Sequence, residues 1–187
     1  MKVLGVLLAA GAGSRFRGPT HKLRADIDGR TVAEISWASM ALAGLDGLAV
    51  VTGAVDLSDL LPGDAIVENH EWATGMRSSV IRALDIARTG AYDAVVIGLA
   101  DQPSVPSSAW SRVARADGDI VVATYGGRRG NPVKLSSRAW TLFLESPGLP
   151  DEGARGLIAS HPELVSEVAC EGSPDDIDTV DDLPSPD

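Results

Sequence analysis

The apolar run from Val3 to Ala10 constrains the fold more than any other part of the sequence, because it stops abruptly at a glycine-rich turn that starts with Gly11. A continuous apolar run of this length is typical of a strand that is buried on both faces, as in a parallel sheet covered by helices. Short runs of the same kind alternate with helical patterns along the rest of the chain. The sequence therefore predicts an α/β fold with a Rossmann-like, doubly wound and mainly parallel sheet.

The alternation also predicts the individual elements. Thr31 and Glu34 have the spacing of a capping box, which favours a helix that starts near residue 31. No repeat or long linker divides the chain, so we predict one domain over residues 1–187, with a frayed tail at 184–187. Strands are expected at residues 4–9, 48–52, 65–68, 94–99, 119–123, 131–135 and 164–169, and helices at 31–42, 78–88, 106–116, 137–144 and 153–160.

Composition and charge argue against several classes of function. The chain is 44% hydrophobic and 22% charged, as is typical of a globular protein. No apolar run approaches the ~20 residues that span a bilayer, and the N-terminal run lacks a signal-peptide cleavage region, so we expect no membrane segment. The formal net charge of −10 argues against a nucleic-acid partner. The single cysteine, Cys170, fits a reducing compartment, so we expect a cytoplasmic protein.

The turn after the first strand has the chemistry of a polyphosphate site. Gly11 and Gly13 let the backbone approach a ligand because they carry no Cβ. The free N–H groups of such a turn attract anions. Arg15 and Lys22 then add fixed positive charge. We therefore predict a nucleotide site at the carboxyl end of the first strand, where open α/β sheets bind their ligands.

Two common nucleotide templates do not fit this turn. The P-loop requires a Lys and then a Ser or Thr directly after its last glycine, but Pro19 follows Gly18. The dinucleotide fingerprint requires a small residue where Phe16 stands. It also requires an acidic residue near the end of the second strand, where the chain has Thr52 and Gly53. An NAD-dependent oxidoreductase is therefore a weak alternative.

The motif L-A-A-G-x-G-x-R at residues 8–15, followed by Lys22, resembles the MobA-like nucleotidyltransferase family, which includes molybdenum-cofactor cytidylyltransferases and guanylyltransferases. The resemblance implies a sheet of the nucleotide-diphospho-sugar transferase type and a loop that wraps the phosphates of an NTP. It implies catalytic roles for Arg15 and Lys22, which neutralise these phosphates, although the segment between them is longer than the usual form. The nucleotide-binding residues that it implies here are Leu8, Ala9, Ala10, Gly11, Ala12, Gly13, Ser14, Arg15 and Lys22.

Two carboxylates are candidate ligands for Mg²⁺. Asp101 follows an apolar strand and is held by the turn at Pro103, and Mg²⁺ prefers a few carboxylates together with phosphate oxygens and water. The family resemblance extends to this L-x-D-x-P motif and to the D-I-D-T segment around Asp178. It implies that Asp101, as a catalytic residue, and Asp178 bind the same Mg²⁺ ion. The alternatives are a turn-forming role for Asp101 and a helix-capping role for Asp178.

Three further segments resemble parts of the family pattern. The G-M-x-x-S segment implies that Gly75, Ser78 and Ser79 lie near the nucleobase and ribose, although either serine can equally cap its helix. Two segments, R-G-x-P-V with Asn131 at the variable position and D-x-G-A-R, border the acceptor substrate in the family. The acceptor-binding residues that they imply are Arg129, Asn131, Gly153 and Arg155, with solvated loop arginines as the alternative.

Together these motifs predict a Mg²⁺-dependent nucleotidyltransferase that transfers NMP to a phosphate acceptor and releases pyrophosphate. In the resembled family L-A-A-G accompanies CTP, so Ala10 favours CTP over GTP, and the acceptor that this implies is molybdopterin. A molybdoenzyme partner remains open. The alternatives are a transferase for a sugar phosphate or another small phosphate acceptor, and a non-catalytic carrier of NTP or pterin for a molybdoenzyme.

Overall fold

A computed structural model describes residues 1–184 of the 187-residue chain. The last three residues of the predicted frayed tail, 185–187, lie outside the described residues. The strands are β1 (Val3–Ala9), β2 (Asp26–Ile27), β3 (Arg30–Thr31), β4 (Gly47–Thr52), β5 (Ile66–Glu68), β6 (Ala94–Leu99), β7 (Ile120–Tyr125), β8 (Arg128–Ser136) and β9 (Val165–Ala169). The α-helices are α1 (Val32–Ala41), α2 (Met76–Thr89), α3 (Ser107–Arg115), α4 (Ser137–Glu145) and α5 (Arg155–Ser160).

A seven-stranded sheet forms the centre of the molecule, in the order β5-β4-β1-β6-β8-β7-β9. β1 pairs in parallel with β4 and β6, β4 with β5, and β7 with β9. β8 runs antiparallel to both of its neighbours, β6 and β7. The predicted α/β, doubly wound and mainly parallel sheet is therefore confirmed, with one antiparallel strand inserted between β6 and β7.

Helices cover both faces of the sheet because the side chains of a strand alternate between its faces. Leu7 of β1 is fully buried in the cluster that also contains residues of α1 and α3. Val6, its neighbour in the chain, is fully buried on the other face with residues of α2, α4 and α5. Burying one such side chain contributes roughly 1.5–3 kcal/mol to folding. The apolar run of β1 thus fixes the centre of the sheet from both sides.

Local signals in the sequence explain where several elements begin. The Thr31 side chain accepts a hydrogen bond from the Glu34 N–H, and the Glu34 carboxylate accepts one from the Thr31 N–H, so the predicted capping box starts α1. Gly126 and Gly127 have φ angles of 57° and 83°, and they join β7 to β8 as a two-residue hairpin turn. Across residues 1–184, no helix is both long enough and apolar enough to cross a membrane.

Candidate active site

The central pair of parallel strands brings two of the predicted motifs side by side. Leu8 of β1 is in register with Leu99 of β6, and the Ala100 N–H donates to the Leu8 carbonyl at 2.9 Å. The glycine-rich loop leaves β1 at this point, and Asp101 follows β6. Both motifs therefore meet at the carboxyl edge of the sheet, where open α/β sheets bind ligands.

The glycine-rich loop keeps a row of backbone N–H groups available. Within residues 1–184, the N–H groups of residues 11–14 donate to no protein acceptor. Gly13 has a φ of 61°, and a Cβ at this position would lie 2.9 Å from His21 Nε2, so a glycine is required here. Unpaired N–H groups on a tight turn form the kind of anion site that a polyphosphate needs.

His21 holds the loop from the other side. Its Nδ1 accepts a hydrogen bond from the Leu23 N–H at 3.2 Å, so the proton of the neutral ring lies on Nε2, which donates to the Gly11 carbonyl at 3.1 Å. Burial and the neighbouring Lys22 charge lower the pKa of His21, against opposing backbone hydrogen bonds, and this favours the neutral ring. The sequence analysis assigned no role to His21, because its partners become apparent only in three dimensions.

Two cations and two carboxylates form an ion-pair network at the mouth of the loop. Lys22 Nζ lies 2.5 Å from Asp101 Oδ2 and 3.0 Å from Asp178 Oδ1. Arg15 Nη1 lies 2.9 Å from Asp178 Oδ2. Burial opposes the charge on Lys22, but the two carboxylates outweigh this penalty and raise the pKa of the ammonium. The structure therefore brings together all four residues that the sequence analysis assigned to catalysis and metal binding.

Asp101 has the properties of a metal ligand. Its Oδ1 atom is buried, and within the described chain it accepts no hydrogen bond. A buried carboxylate oxygen without a partner is costly, and a hard cation would satisfy it. No set of three His, Cys, Asp or Glu side chains within residues 1–184 converges on a metal position. The residues thus fit a cation that takes its remaining ligands from phosphate and water.

A segment without regular structure carries Asp178 back to the sheet. Ile177, its neighbour, is only 6% exposed, and the Ile177 N–H donates to the Asp101 carbonyl at 2.8 Å. The Asp182 carboxylate accepts from the Asp178 and Thr179 N–H groups at 3.0 and 2.7 Å. The capping role that the sequence left open for Asp178 thus belongs to Thr179, which forms a capping box with Asp182.

An open cleft of about 490 Å³ extends from the loop and the ion-pair network. Gly75 and Ser79 line it, whereas Ser78 donates to the Gly75 carbonyl at 2.8 Å and accepts from the Asn69 amide. The Trp72 side chain also lines the cleft. An aromatic ring in such a wall can stack on a nucleobase. The sequence analysis did not single out Trp72.

A second cavity, of about 340 Å³, adjoins the cleft. Arg155 lines both cavities, and Arg129 and Asn131 line the second one. The Arg129 guanidinium is paired with Glu167 at 2.6 Å. Gly153 lies apart from the other predicted acceptor residues, in a different surface depression. The walls of the second cavity are mainly aliphatic and include Leu8, Val80, Ile97, Leu99, Val122, Val133 and Ile158.

The buried side chain of Gln102 links residues that line the two cavities. Gln102 Nε2 donates to Asp176 Oδ1 at 2.7 Å, and Gln102 Oε1 accepts from the Asn131 amide at 3.2 Å. Reduced solvation and the Asp101 charge raise the pKa of Asp176, which lines the cleft. Gln102 was not predicted from the sequence, because its partners Asp176 and Asn131 are distant along the chain and meet it only in the fold.

A known family model, MobA-like NTP transferase domain, matches the chain over residues 5–165. The chain belongs to this family. The resemblance seen in the sequence is therefore confirmed. Because the match begins in β1 and extends to the start of β9, it includes the glycine-rich loop, the Asp101 motif and the second cavity, whereas Asp176 and Asp178 of the cleft follow it.

Solved structures share the fold of this MobA-like domain over nearly its whole length. Mth528, a nucleotidyl transferase from Methanothermobacter thermautotrophicus, is 23% identical and has a TM-score of 0.81, covering 97% of this chain and 94% of that one. Rv0371c from Mycobacterium tuberculosis H37Rv is 26% identical, with a TM-score of 0.79 and coverages of 97% and 95%. A complex of Rv0371c with manganese has a TM-score of 0.76.

A more distant neighbour carries a specific activity in its name. The inositol-1-phosphate CTP transferase from T. maritima is 18% identical, with a TM-score of 0.75 over 99% of this chain and 92% of that one. At this identity the likeness concerns the fold alone. No curated protein sequence matches the chain.

Proposed function

We propose that this chain, as one nucleotidyltransferase domain, catalyses Mg²⁺-dependent transfer of CMP from CTP to the phosphate of molybdopterin, with release of pyrophosphate. The observation that carries the proposal is the buried, unpartnered Oδ1 of Asp101, which lies beside the free N–H groups of the glycine-rich loop. Carboxylate oxygens and free N–H groups bind the two halves of a metal–polyphosphate complex. Family membership and the manganese complex of Rv0371c support the same reading.

Each group in the cleft has a defined task in this reaction. The loop N–H groups, Arg15 and Lys22 bind the triphosphate and stabilise the charge that develops on the departing pyrophosphate. Asp101 and Asp178 would hold the cation, which would neutralise charge on the α-phosphate. An oxygen of the acceptor phosphate attacks the α-phosphorus in line. The new P–O bond forms as the bond to the bridging oxygen breaks, and the pyrophosphate leaves with the electron pair.

No strong general base is needed, because the nucleophile is already an anionic phosphate oxygen. Catalysis then depends on positioning and on charge neutralisation. Arg155 lines both cavities, so its guanidinium can hold the acceptor phosphate between its binding cavity and the α-phosphate. This role agrees with the acceptor contact that the family resemblance implies.

The lining of the second cavity favours a flat heterocyclic acceptor over a polyol. Most of its lining residues are apolar, so the hydroxyl groups of a sugar or inositol phosphate would meet few side-chain partners besides Arg129, Asn131, Glu152 and Arg155. Polar groups that enter an apolar cavity without partners lose binding free energy. The Asn131 amide and the backbone of Gly130, which also line the cavity, can meet the polar edge of a flat heterocycle. A molybdoenzyme would then receive the finished cofactor.

Ala10 is the residue on which the choice of CTP depends. It is 5% exposed, and its carbonyl accepts from the Ala54 N–H at 3.1 Å, so it lies in a fixed part of the loop. The family resemblance associates alanine here with CTP and glycine with GTP. An Ala10→Gly variant is therefore expected to raise the ratio of GTP use to CTP use.

The test is mass spectrometry of the products formed from CTP, GTP, ATP and UTP with molybdopterin, inositol 1-phosphate or a hexose 1-phosphate. We expect the cytidylylated pterin as the main product, and a shift toward the guanylylated product for Ala10→Gly. A polyol product would replace the proposed acceptor by a sugar-phosphate class. NTP binding without any product would favour the carrier function.

A further inference from the structure

The ammonium of Lys22 contacts both carboxylates to which the cation is assigned. Its Nζ lies 2.5 Å from Asp101 Oδ2 and 3.0 Å from Asp178 Oδ1, and its side chain is only 10% exposed. Arg15 Nη1 lies 2.9 Å from Oδ2, the second carboxylate oxygen of Asp178. Three of the four oxygens of these carboxylates therefore already have a cationic partner within the chain, and only Asp101 Oδ1 has none.

A divalent cation cannot simply join this arrangement. Mg²⁺ and Mn²⁺ require a full shell of oxygen ligands, and the described residues offer no third converging carboxylate. The ion would have to lie a few ångströms from the Lys22 ammonium, where two like-charged groups repel strongly at the reduced dielectric of a half-buried site. Free cation and Lys22 thus compete for the same oxygens.

A polyphosphate relieves this competition. Lys22 and Arg15 line the same cleft as the loop N–H groups. The anionic oxygens of a triphosphate in that cleft can accept both side chains, and the same phosphates supply the ligands that the cation lacks. The carboxylates and the cation are then released to bind each other.

We propose that Lys22 is a built-in counter-ion that disfavours free divalent cations at Asp101 and Asp178 until a nucleoside polyphosphate takes over its ammonium. The site then accepts the cation together with the polyphosphate and binds the free ion weakly. This inference rests on the proposed function, because it uses the same cation and nucleotide. It adds that the cation binds with the polyphosphate rather than before it. Lys22 thereby has a second role besides phosphate neutralisation.

The test measures Mn²⁺ binding directly, by the electron paramagnetic resonance signal of free Mn²⁺, with no nucleotide present. Lys22→Met keeps the aliphatic stem and removes the ammonium. We expect this variant to bind Mn²⁺ at least about tenfold more tightly than the wild type, because the removed charge lies within contact distance of the site. We also expect Mn²⁺ alone to raise the melting temperature of the variant more than that of the wild type.

Arg17→Met is the matched control. Arg17 is exposed, lies in the same loop and carries the same charge, so its loss reports the long-range effect of one cation alone. We expect its Mn²⁺ affinity to stay close to that of the wild type. If Lys22→Met does not fold, Lys22→Gln serves for the same measurement, because its amide retains a hydrogen-bond donor for the carboxylates.

Two results would overturn the inference. One is an unchanged Mn²⁺ affinity in the Lys22 variants, or an equal gain in Arg17→Met. The other is a wild-type Mn²⁺ affinity that stays the same when a non-hydrolysable CTP analogue is added. Because the first comparison uses no nucleotide and no acceptor, its failure is distinct from a failure of nucleotidyl transfer, which product analysis reports separately.

Discussion

Asp101→Asn is the substitution for which the structure predicts a small effect on stability and a large loss of activity. Asparagine keeps the shape of the side chain and removes its charge. Lys22 loses one charged partner, which costs about 1.5–3 kcal/mol, but it keeps Asp178 at 3.0 Å. The buried Oδ1, which has no partner, no longer carries carboxylate charge. Removing this desolvation penalty stabilises the folded state by about 1–3 kcal/mol. The free energy of unfolding is therefore expected to change by no more than about 2 kcal/mol.

Transfer activity is expected to respond far more strongly. The substitution removes a carboxylate from the cation and from the charge balance around the α-phosphate. Losing one preorganised electrostatic contact of this kind costs roughly 10²–10³ in kcat. For a chain of this length, the accompanying change in melting temperature is expected to be no more than about 8 °C.

The assay combines thermal unfolding with the rate of pyrophosphate release at several Mg²⁺ concentrations. Asp181→Asn is the control, because Asp181 is exposed and loses the same charge outside the cleft. A kcat of Asp101→Asn within about threefold of the wild type, with unchanged metal dependence, would refute the metal-binding role of Asp101. A fall in melting temperature of more than about 8 °C would also refute it, since Asp101 would then act mainly in folding.

Three further predictions concern the surroundings of the cleft. Arg155→Met should raise the KM for the acceptor about tenfold and leave the KM for CTP nearly unchanged, as steady-state kinetics with each substrate varied would show. Ile177→Ala should lower the free energy of unfolding by about 2–4 kcal/mol, measured by denaturant titration, and weaken Mn²⁺ binding in the presence of a CTP analogue, since Asp178 loses its anchor. Burial lowers the pKa of His21, so the stability from its neutral ring is present above the ordinary histidine pKa of about 6.5 and lost as the pH falls. A protonated ring can no longer accept the Leu23 N–H, so CTP affinity should fall as the pH drops through this lowered pKa, and His21→Asn should flatten this part of the profile in titration calorimetry.

The sequence was sufficient to predict the parallel core of the fold. β1 at Val3–Ala9 and β6 at Ala94–Leu99 match the predicted runs, because a strand buried on both faces leaves a continuous apolar signal. The apolar pattern could not predict that β8 runs antiparallel, since burial does not depend on strand direction. The Gly126-Gly127 pair was the usable clue to an antiparallel hairpin. The hairpin of β2 and β3 was missed because its strands have only two residues each.

Some residues of the candidate site could likewise be predicted from the sequence, and others could not. Residues that follow a strand along the chain, such as Arg15 and Asp101, could be predicted from motifs. Gln102 could not, because its role depends on Asp176, a residue far along the chain, and on the fold that joins them. Trp72 reaches the cleft by packing on Gly53, where a Cβ would lie 2.6 Å from the Trp72 Cβ. Such contacts depend on tertiary packing and leave no local pattern.

The measurement that tests the central claim most directly is pyrophosphate release by the wild-type protein with CTP, GTP, ATP or UTP, with and without Mg²⁺ and molybdopterin. We predict pyrophosphate release with CTP that requires both the cation and the acceptor. Release without any acceptor, or none with any of the four nucleotides despite binding, would contradict it.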